Sequence, residues 1–229
     1  MKSLFNRIKM NMLYFRLAKE PTRTDLIFTA VEIASKDPDQ KALAKIEKEI
    51  FSHPGFKEMY DDGYMPRSPS LEELKVYAPG TFGNALYVHL AKNGLTLETF
   101  PNVDVLQPID YVTARIYRDH DLWHALFGYG VTVEDEMALQ AFGAAQYNSP
   151  LASFIISAAL LHLLKTDSVR TGEGMKKIVE GYHLGQRTKF ILEIKLHEYF
   201  GWPLEDVRKI CSLDSLRLER VTMEYGAVN

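Results

Sequence analysis

One cysteine in 229 residues, Cys211, has nothing to pair with inside the chain. An internal disulfide is excluded, and a reducing compartment is the matching environment; the residue itself reads as a small buried hydrophobe. Charge of one sign is also lacking. The 27 basic and 30 acidic residues leave a net charge of −3 and a pI near 6.2, without the basic excess expected of a nucleic-acid binder. Long apolar runs are missing: the longest, Leu151 to Leu164, has 14 residues and carries His162. A bilayer span needs roughly 20, so this stretch reads as a buried helix. The N-terminus lacks the apolar core and small-residue cleavage site of a signal peptide. No repeat, low-complexity tract or domain linker interrupts the chain, and strand-like alternation is nearly absent.

What is present is helical periodicity in a chain of ordinary globular composition, 46% hydrophobic and 25% charged, long enough to bury a sizeable core. The pattern predicts a helix behind a Thr24 cap, with Leu26, Ala30, Ile33 and Ala34 in register, and another from Pro38 with Leu43, Ile46 and Ile50 on one face. Residues 52–79 are broken by Pro and Gly into two short helices. Further helices are expected at 82–93, ended by Gly94, and at 108–127, 133–147, 151–165, 175–199 and 204–220, with Gly181 and Gly185 placed to interrupt the fourth of these last five. The expected fold is a single all-α domain over 1–229. Within residues 1–19, Lys2, Lys9 and Arg16 form a basic stripe, and Leu4, Ile8, Met12 and Phe15 share an apolar face. This segment reads first as a docked helix and, more sharply, as a peripheral contact to a membrane surface.

The chemistry gathers in "HDLWHALFGYGVTVEDE", residues 120–136. With His120 set at zero on a helical wheel, His124 falls at about 40° and Asp121 at about 100°, so the three share a narrow arc. Tyr117 at about 60° and Phe127 at about −20° add a phenol and an apolar wall, while Arg115 and Arg118 fall near the opposite side and read as solvated. On an unbroken helix Glu136 would sit roughly 24 Å along the axis from His120. Gly128, Tyr129 and Gly130 forbid that continuation, with Gly128 suited to a left-handed C-terminal position. Thr132 then caps a new helix, with Asp135 three positions on. His124 and Glu136 are each six residues from Gly130, so an antiparallel helix hairpin brings them level. The expected ligand set is His120, Asp121, His124 and Glu136, for one divalent cation: zinc first, with iron, manganese or magnesium also compatible. A thiolate-free nitrogen and oxygen set favours a site open to water or substrate. The plainer alternative is a pair of hydrogen-bonded core histidines beside surface acids.

Other histidines carry less. His162 reads as a satisfied core residue that can also face a ligand cavity, and Glu180 with His183 makes a single E-x-x-H, short of what a di-iron bundle needs. His53, His89 and His197 have loop or surface readings. An adjacent His-Asp pair also marks the HD-type metal phosphohydrolases, which need a further His and Asp; His89 and Asp167 are available but stand in no recognisable motif.

The motif His-Asp-x-x-His, eleven residues, Glu resembles that of the coenzyme Q (ubiquinone) biosynthesis protein 4 family, and here it is complete: His120, Asp121, His124, Glu136. "APGTFGNALYVHLAKNGL" (78–95) is similar to that family's Pro-x-Gly-Thr-Phe-Gly region, and "GQRTKFILEIKLHEYFGWPLEDVRK" (185–209) to its C-terminal segment. Gln186 and Thr188 replace the usual Arg and Ala, "YNSP" stands where Gly-Leu-Pro is common, and Gly130 occupies a turn that often holds proline; none touches the metal ligands. The resemblance covers roughly residues 70–212. It implies an all-helical fold, a bound divalent metal and a hydrophobic channel for a polyprenyl chain. The implied activity is loss of the ring carboxylate from a polyprenylated 4-hydroxybenzoate with oxygenation at the same carbon, or alternatively a scaffold role among the other quinone-biosynthesis enzymes. Asp121 either binds the metal or orients a histidine, and Tyr117 is a candidate hydrogen-bond donor. For the prenyl tail the expected lining is Leu151, Phe154, Ile155, Ala158, Ala159 and Leu163, whose alanines leave room; the plain alternative is a core helix. His162, Arg187 and Lys189 complete the candidate substrate contacts. The expected state is a homo-oligomer at a membrane surface, on the cytoplasmic or matrix side.

Overall fold

A computed structural model describes residues 2–36, 39–97 and 100–213 (for Lys2 and Ser3, the backbone only). In chain order the α-helices are α1 (Lys2–Lys19), α2 (Thr24–Lys36), α3 (Gln40–Ile50), α4 (Pro54–Asp61), α5 (Leu71–Lys75), α6 (Phe82–Asn93), α7 (Pro108–Phe127), α8 (Val133–Tyr147), α9 (Pro150–Thr166), α10 (Arg170–Arg187) and α11 (Leu204–Ile210). The one β-type pairing among the described residues is an isolated antiparallel bridge between Thr81 and Pro203. The fold is all-α, as the periodicity requires. Pro38, expected at a helix start, and residues 214–220 of the expected last helix lie outside the described residues; within them that helix already stops at Ile210.

The described residues form two compact units. The first combines residues up to 46 with 132–186. In it α9 packs against both α8 and α1, and Leu13, Leu17, Ala18, Leu26, Ala30, Ile155 and Ala158 form a shared apolar cluster. The N-terminal helix is therefore docked, but not by the face its sequence singles out. Leu13 and Leu17 enter the core, whereas Leu4, Ile8, Met12 and Phe15 remain 50–64% exposed.

Gly181 and Gly185 do not break α10, which runs unbroken from residue 170 to 187. They let it approach α8. A Cβ built on Gly181 would lie 1.9 Å from the Ala138 carbonyl oxygen, and one on Gly185 would lie 2.7 Å from that of Phe142. The missing side chains are what allow backbone to meet backbone here.

The second unit combines residues 47–131 with 187–213. Here α6 packs on α5 and α7, around fully buried Phe56, Leu74, Phe82, Leu86, Leu90, Leu122 and Leu126. A Ser70 capping box starts α5, and Thr81 caps α6, whose first amides, Phe82 and Gly83, donate to the carbonyls of Trp202 and Phe200. The expected helix over 175–199 ends at Arg187; beyond it come only two short 3-10 turns, Ile191–Glu193 and Leu196–Glu198. Ile191, Leu192 and Leu196 are all completely buried.

The α8–α10 approach yields a stability test. Gly181→Ala should lower the unfolding free energy by about 1–3 kcal/mol through overpacking. Gly172→Ala, in the same helix with open space for 4 Å around the point a Cβ would occupy, should hold it or raise it slightly. Urea denaturation measures both; equal midpoints for the two variants would contradict this packing.

Candidate metal centre

The site is built on α7. Pro108 opens the helix behind Gln107, and the Asp110 carboxylate accepts from the amides of Leu106 and Gln107 at 3.1 and 2.9 Å. One flank of α7 is anchored by a buried ionic network. Arg115 Nη2 donates to Asp119 Oδ2 at 2.9 Å, and His197 Nε2 lies 3.0 Å from Asp119 Oδ1, with Arg115 and Asp119 wholly buried. Burial works against the Asp119 charge, but the Arg115 guanidinium and His197 hold its carboxyl below the usual range. Arg115 also sits over the Tyr64 ring. Two expectations are thereby corrected: Arg115 is not solvated and His197 is not a surface residue, because each answers a buried charge.

On the adjoining flank lie His120, Asp121 and His124. The rings of His120 and His124 stand 4.9 Å apart at 66°, and His124 is almost completely buried. His89 stacks on His124 at 4.9 Å and 17°, and Phe100 lies 5.2 Å from His120. His89 is a buried residue of α6 and braces a ligand, contrary to its loop or surface reading. The signal was available: His89 follows Leu86 by three positions and so shares the buried stripe of Phe82, Leu86 and Leu90.

The break after α7 has the expected chemistry. Gly128 is left-handed at φ 78°, and its amide closes back on the His124 carbonyl. The Thr132 side chain then accepts from the Asp135 amide at 3.1 Å, and α8 begins one turn before Glu136. Among the described residues His120, His124 and Glu136 each offer one ligand atom, and these atoms all lie within 4.8 Å of one another. Two imidazoles and a carboxylate, with no thiolate, fit a divalent cation that keeps positions open to other ligands. Asp121 does not belong to this group. Its Oδ1 lies 3.4 Å from His120 Nδ1, the position of a carboxylate that orients a ligating imidazole. Neither His89 nor Asp167 joins the converging atoms, as an HD-type phosphohydrolase would require.

The remaining candidates are dispersed. Tyr117 borders a cavity of about 630 Å³ in the second unit, and burial pushes its phenol up to about 12. Ala158 belongs to the α1–α9 cluster, and Ala159 packs with Met137 and Leu163; Phe154 and Ile155 lie on the same helix as these. His162 Nδ1 sits 3.2 Å from the Ala18 carbonyl. Arg187 is exposed, and exposed Lys189 lines a separate cavity of about 340 Å³ beside Glu58 and Glu193. The large cavity missed by the sequence reading runs along α7, where Phe100 and Arg118 stand beside Tyr117. Arg118 is only partly exposed, which corrects its solvated reading.

A profile of the family described as coenzyme Q (ubiquinone) biosynthesis protein Coq4 matches residues 10–216. Among curated relatives, the mitochondrial ubiquinone biosynthesis protein COQ4 of Lachancea thermotolerans is 27% identical over 149 residues, covering 62% of this chain and 43% of that protein. The corresponding protein of Pyricularia oryzae is 26% identical over 204 residues, 85% of this chain and 64% of that one. The chain thus spans about half of the length of such relatives. A crystallised Nostoc punctiforme chain, provisionally described as a ubiquinone biosynthesis protein, shares the fold with a TM-score of 0.78 and 21% identity, over 92% of this chain and 99% of that one.

The ligand geometry predicts about one divalent ion per chain, lost in His124→Ala and weakened in Glu136→Ala, since each removes a donor. Asp121→Asn should keep the stoichiometry at saturating metal while affinity falls roughly 10–100-fold. Elemental analysis decides this; equal metal in wild type and His124→Ala would contradict it.

Proposed function

The chain belongs to the coenzyme Q (ubiquinone) biosynthesis protein Coq4 family, and from that premise we propose that it is a metal-dependent enzyme of quinone biosynthesis that decarboxylates a polyprenylated hydroxybenzoate. The observation that carries this reading is the convergence of His120, His124 and Glu136 within 4.8 Å. A divalent cation held there, zinc before iron, manganese or magnesium, would supply Lewis acidity to the oxygens of an aromatic head group. Asp121 keeps His120 oriented, and His89 restrains the ring of His124. Tyr117, its phenol pushed up to about 12, stays protonated at neutral pH and donates a hydrogen bond to the head group. In the reaction the bond from ring carbon to carboxylate breaks and carbon dioxide leaves; one oxygen atom of dioxygen joins that carbon, the other leaves as water, and the ring, which supplies the electrons, is released at the level of the 1,4-quinone. Ionisation of the para-hydroxyl raises electron density at that carbon.

A polyprenyl substrate resides in a bilayer, since each buried methylene contributes roughly 0.8 kcal/mol. The chain meets it at an anionic membrane surface through α1. Leu4, Phe5, Ile8, Met12 and Phe15 are all at least half exposed and fall within an arc of about 100° on the helical wheel. Lys9 and Arg16 flank that arc, and no acidic residue precedes Glu20. Exposed apolar area edged by basic side chains matches anionic headgroups. No helix of the described residues is long and apolar enough to cross a membrane.

One assay addresses both parts. Metal-loaded protein mixed under air with anionic vesicles carrying a prenylated 4-hydroxybenzoate should release carbon dioxide in a single turnover, and His124→Ala should not. The double variant Ile8→Glu, Phe15→Glu should stop sedimenting with vesicles yet turn over detergent-dispersed substrate. Deleting the whole of α1 would be a poorer probe, because Leu13 and Leu17 belong to the core. Carbon dioxide no higher than with His124→Ala would contradict the enzymatic reading; equal sedimentation would contradict the role of α1.

A further inference from the structure

The cavity along α7 has an electrostatic peculiarity. Its volume of about 630 Å³ lies within the usual range for small-ligand sites, about 300–1,000 Å³. Its walls include Phe100, Tyr111, Tyr117 and Val103, and among the described residues its charged side chains are two arginines, with no acid lining it. One, Arg67, is neutralised by a two-pronged pair with Glu73 at 2.9 and 2.5 Å. The other is Arg118. Its Nη1 donates to Ser68 Oγ at 3.1 Å and its Nη2 to Asn102 Oδ1 at 3.3 Å, both neutral groups. A part-buried guanidinium held in place by neutral partners is not offset by them and presents a pre-organised fork of donors. Arginine in that state matches a carboxylate better than any other side chain does.

Position adds to charge. On α7, Tyr117 and Arg118 follow Ala114, another wall residue, and precede His120 by three and two positions. Phe100 joins the cavity to the ligand face: its ring centroid is 5.4 Å from that of Tyr117 and 5.2 Å from that of His120. An aromatic ring resting on Phe100 and Tyr117 would therefore lie beside the His120 imidazole with its anionic substituent toward Arg118. We propose that this cavity is an anion subsite in which Arg118 binds the carboxylate of an aromatic acid, and that Arg118 thereby selects the carboxylated form of the substrate over its decarboxylated product. The choice of an aromatic acid rests on the function proposed above; the uncompensated cation in the cavity does not.

The test is an anaerobic titration of metal-loaded protein with a geranylated 4-hydroxybenzoate and with the geranylated phenol that lacks its carboxylate. Wild type should prefer the acid by roughly tenfold to a hundredfold, the range of a hydrogen bond to a charged group. Arg118→Gln should erase most of that preference with little change for the phenol. Arg118→Lys, which keeps the charge without the planar fork, should retain part of it, and thermal melts of both variants report on folding. An undiminished preference in Arg118→Gln would overturn the subsite while leaving a metal-dependent enzyme standing. A wild type that binds both compounds equally would also overturn it. Failure of wild type to bind either compound would overturn the subsite and the proposed function together.

Discussion

A straight helix cannot carry both the histidines and the glutamate of this site. Sixteen residues separate His120 from Glu136, roughly 24 Å along an α-helix, yet their ligand atoms lie within 4.8 Å of one another and of His124. The whole arrangement depends on stopping α7 at Phe127 and restarting the chain at Thr132. Gly128 supplies the stop, at a φ of 78° that a side chain would make costly. The Thr132 hydroxyl supplies the restart by accepting a hydrogen bond from the Asp135 amide in the first turn of the new helix. Without that break, the same residues would be two core histidines and a distant acid.

Once the break is made, α7 serves several purposes on different flanks. The Arg115–Asp119–His197 network holds one flank by buried charge, where losing the bridging Asp119 would strand the other two. The next flank presents His120 and His124, with His89 stacked behind and Asp121 beside them. Tyr117 and Arg118 border the cavity. Holding the helix firmly on one flank is what lets the ligands on another keep a fixed separation, since a site loosened by an ångström loses much of its affinity and activity.

The sequence states the local rules well and the partners poorly. Helices whose ends carry strong signals, such as Thr81 to Gly94 or Pro108 to Gly128, stand where the pattern put them. The metal ligands were legible for the same reason, because residues four apart on one helix and a glycine break are both short-range facts. Arg115 and Arg118 were not: a helical wheel gives their direction but not what waits there, and although Asp119 stands one turn from Arg115 on the same helix, His197, Tyr64, Ser68 and Asn102 come from several other segments. On α1 two apolar arcs compete, and packing against Ile155 and Ala158 selects the one bearing Leu13 and Leu17. Gly181 and Gly185 look like helix breakers until the close carbonyls of Ala138 and Phe142 are known. The stretch from Phe190 to Leu196 has the composition of a helix, yet it forms short 3-10 turns, and no local signal marks the difference.

X-ray absorption spectroscopy of the zinc-loaded protein tests the central claim most directly. A cation held by His120, His124 and Glu136 should show only nitrogen and oxygen neighbours at roughly 2.0–2.2 Å, with the multiple-scattering signature of two imidazoles that drops to one in His120→Ala. A sulfur neighbour at about 2.3 Å, or a spectrum unchanged by His120→Ala, would place the metal elsewhere and contradict the account.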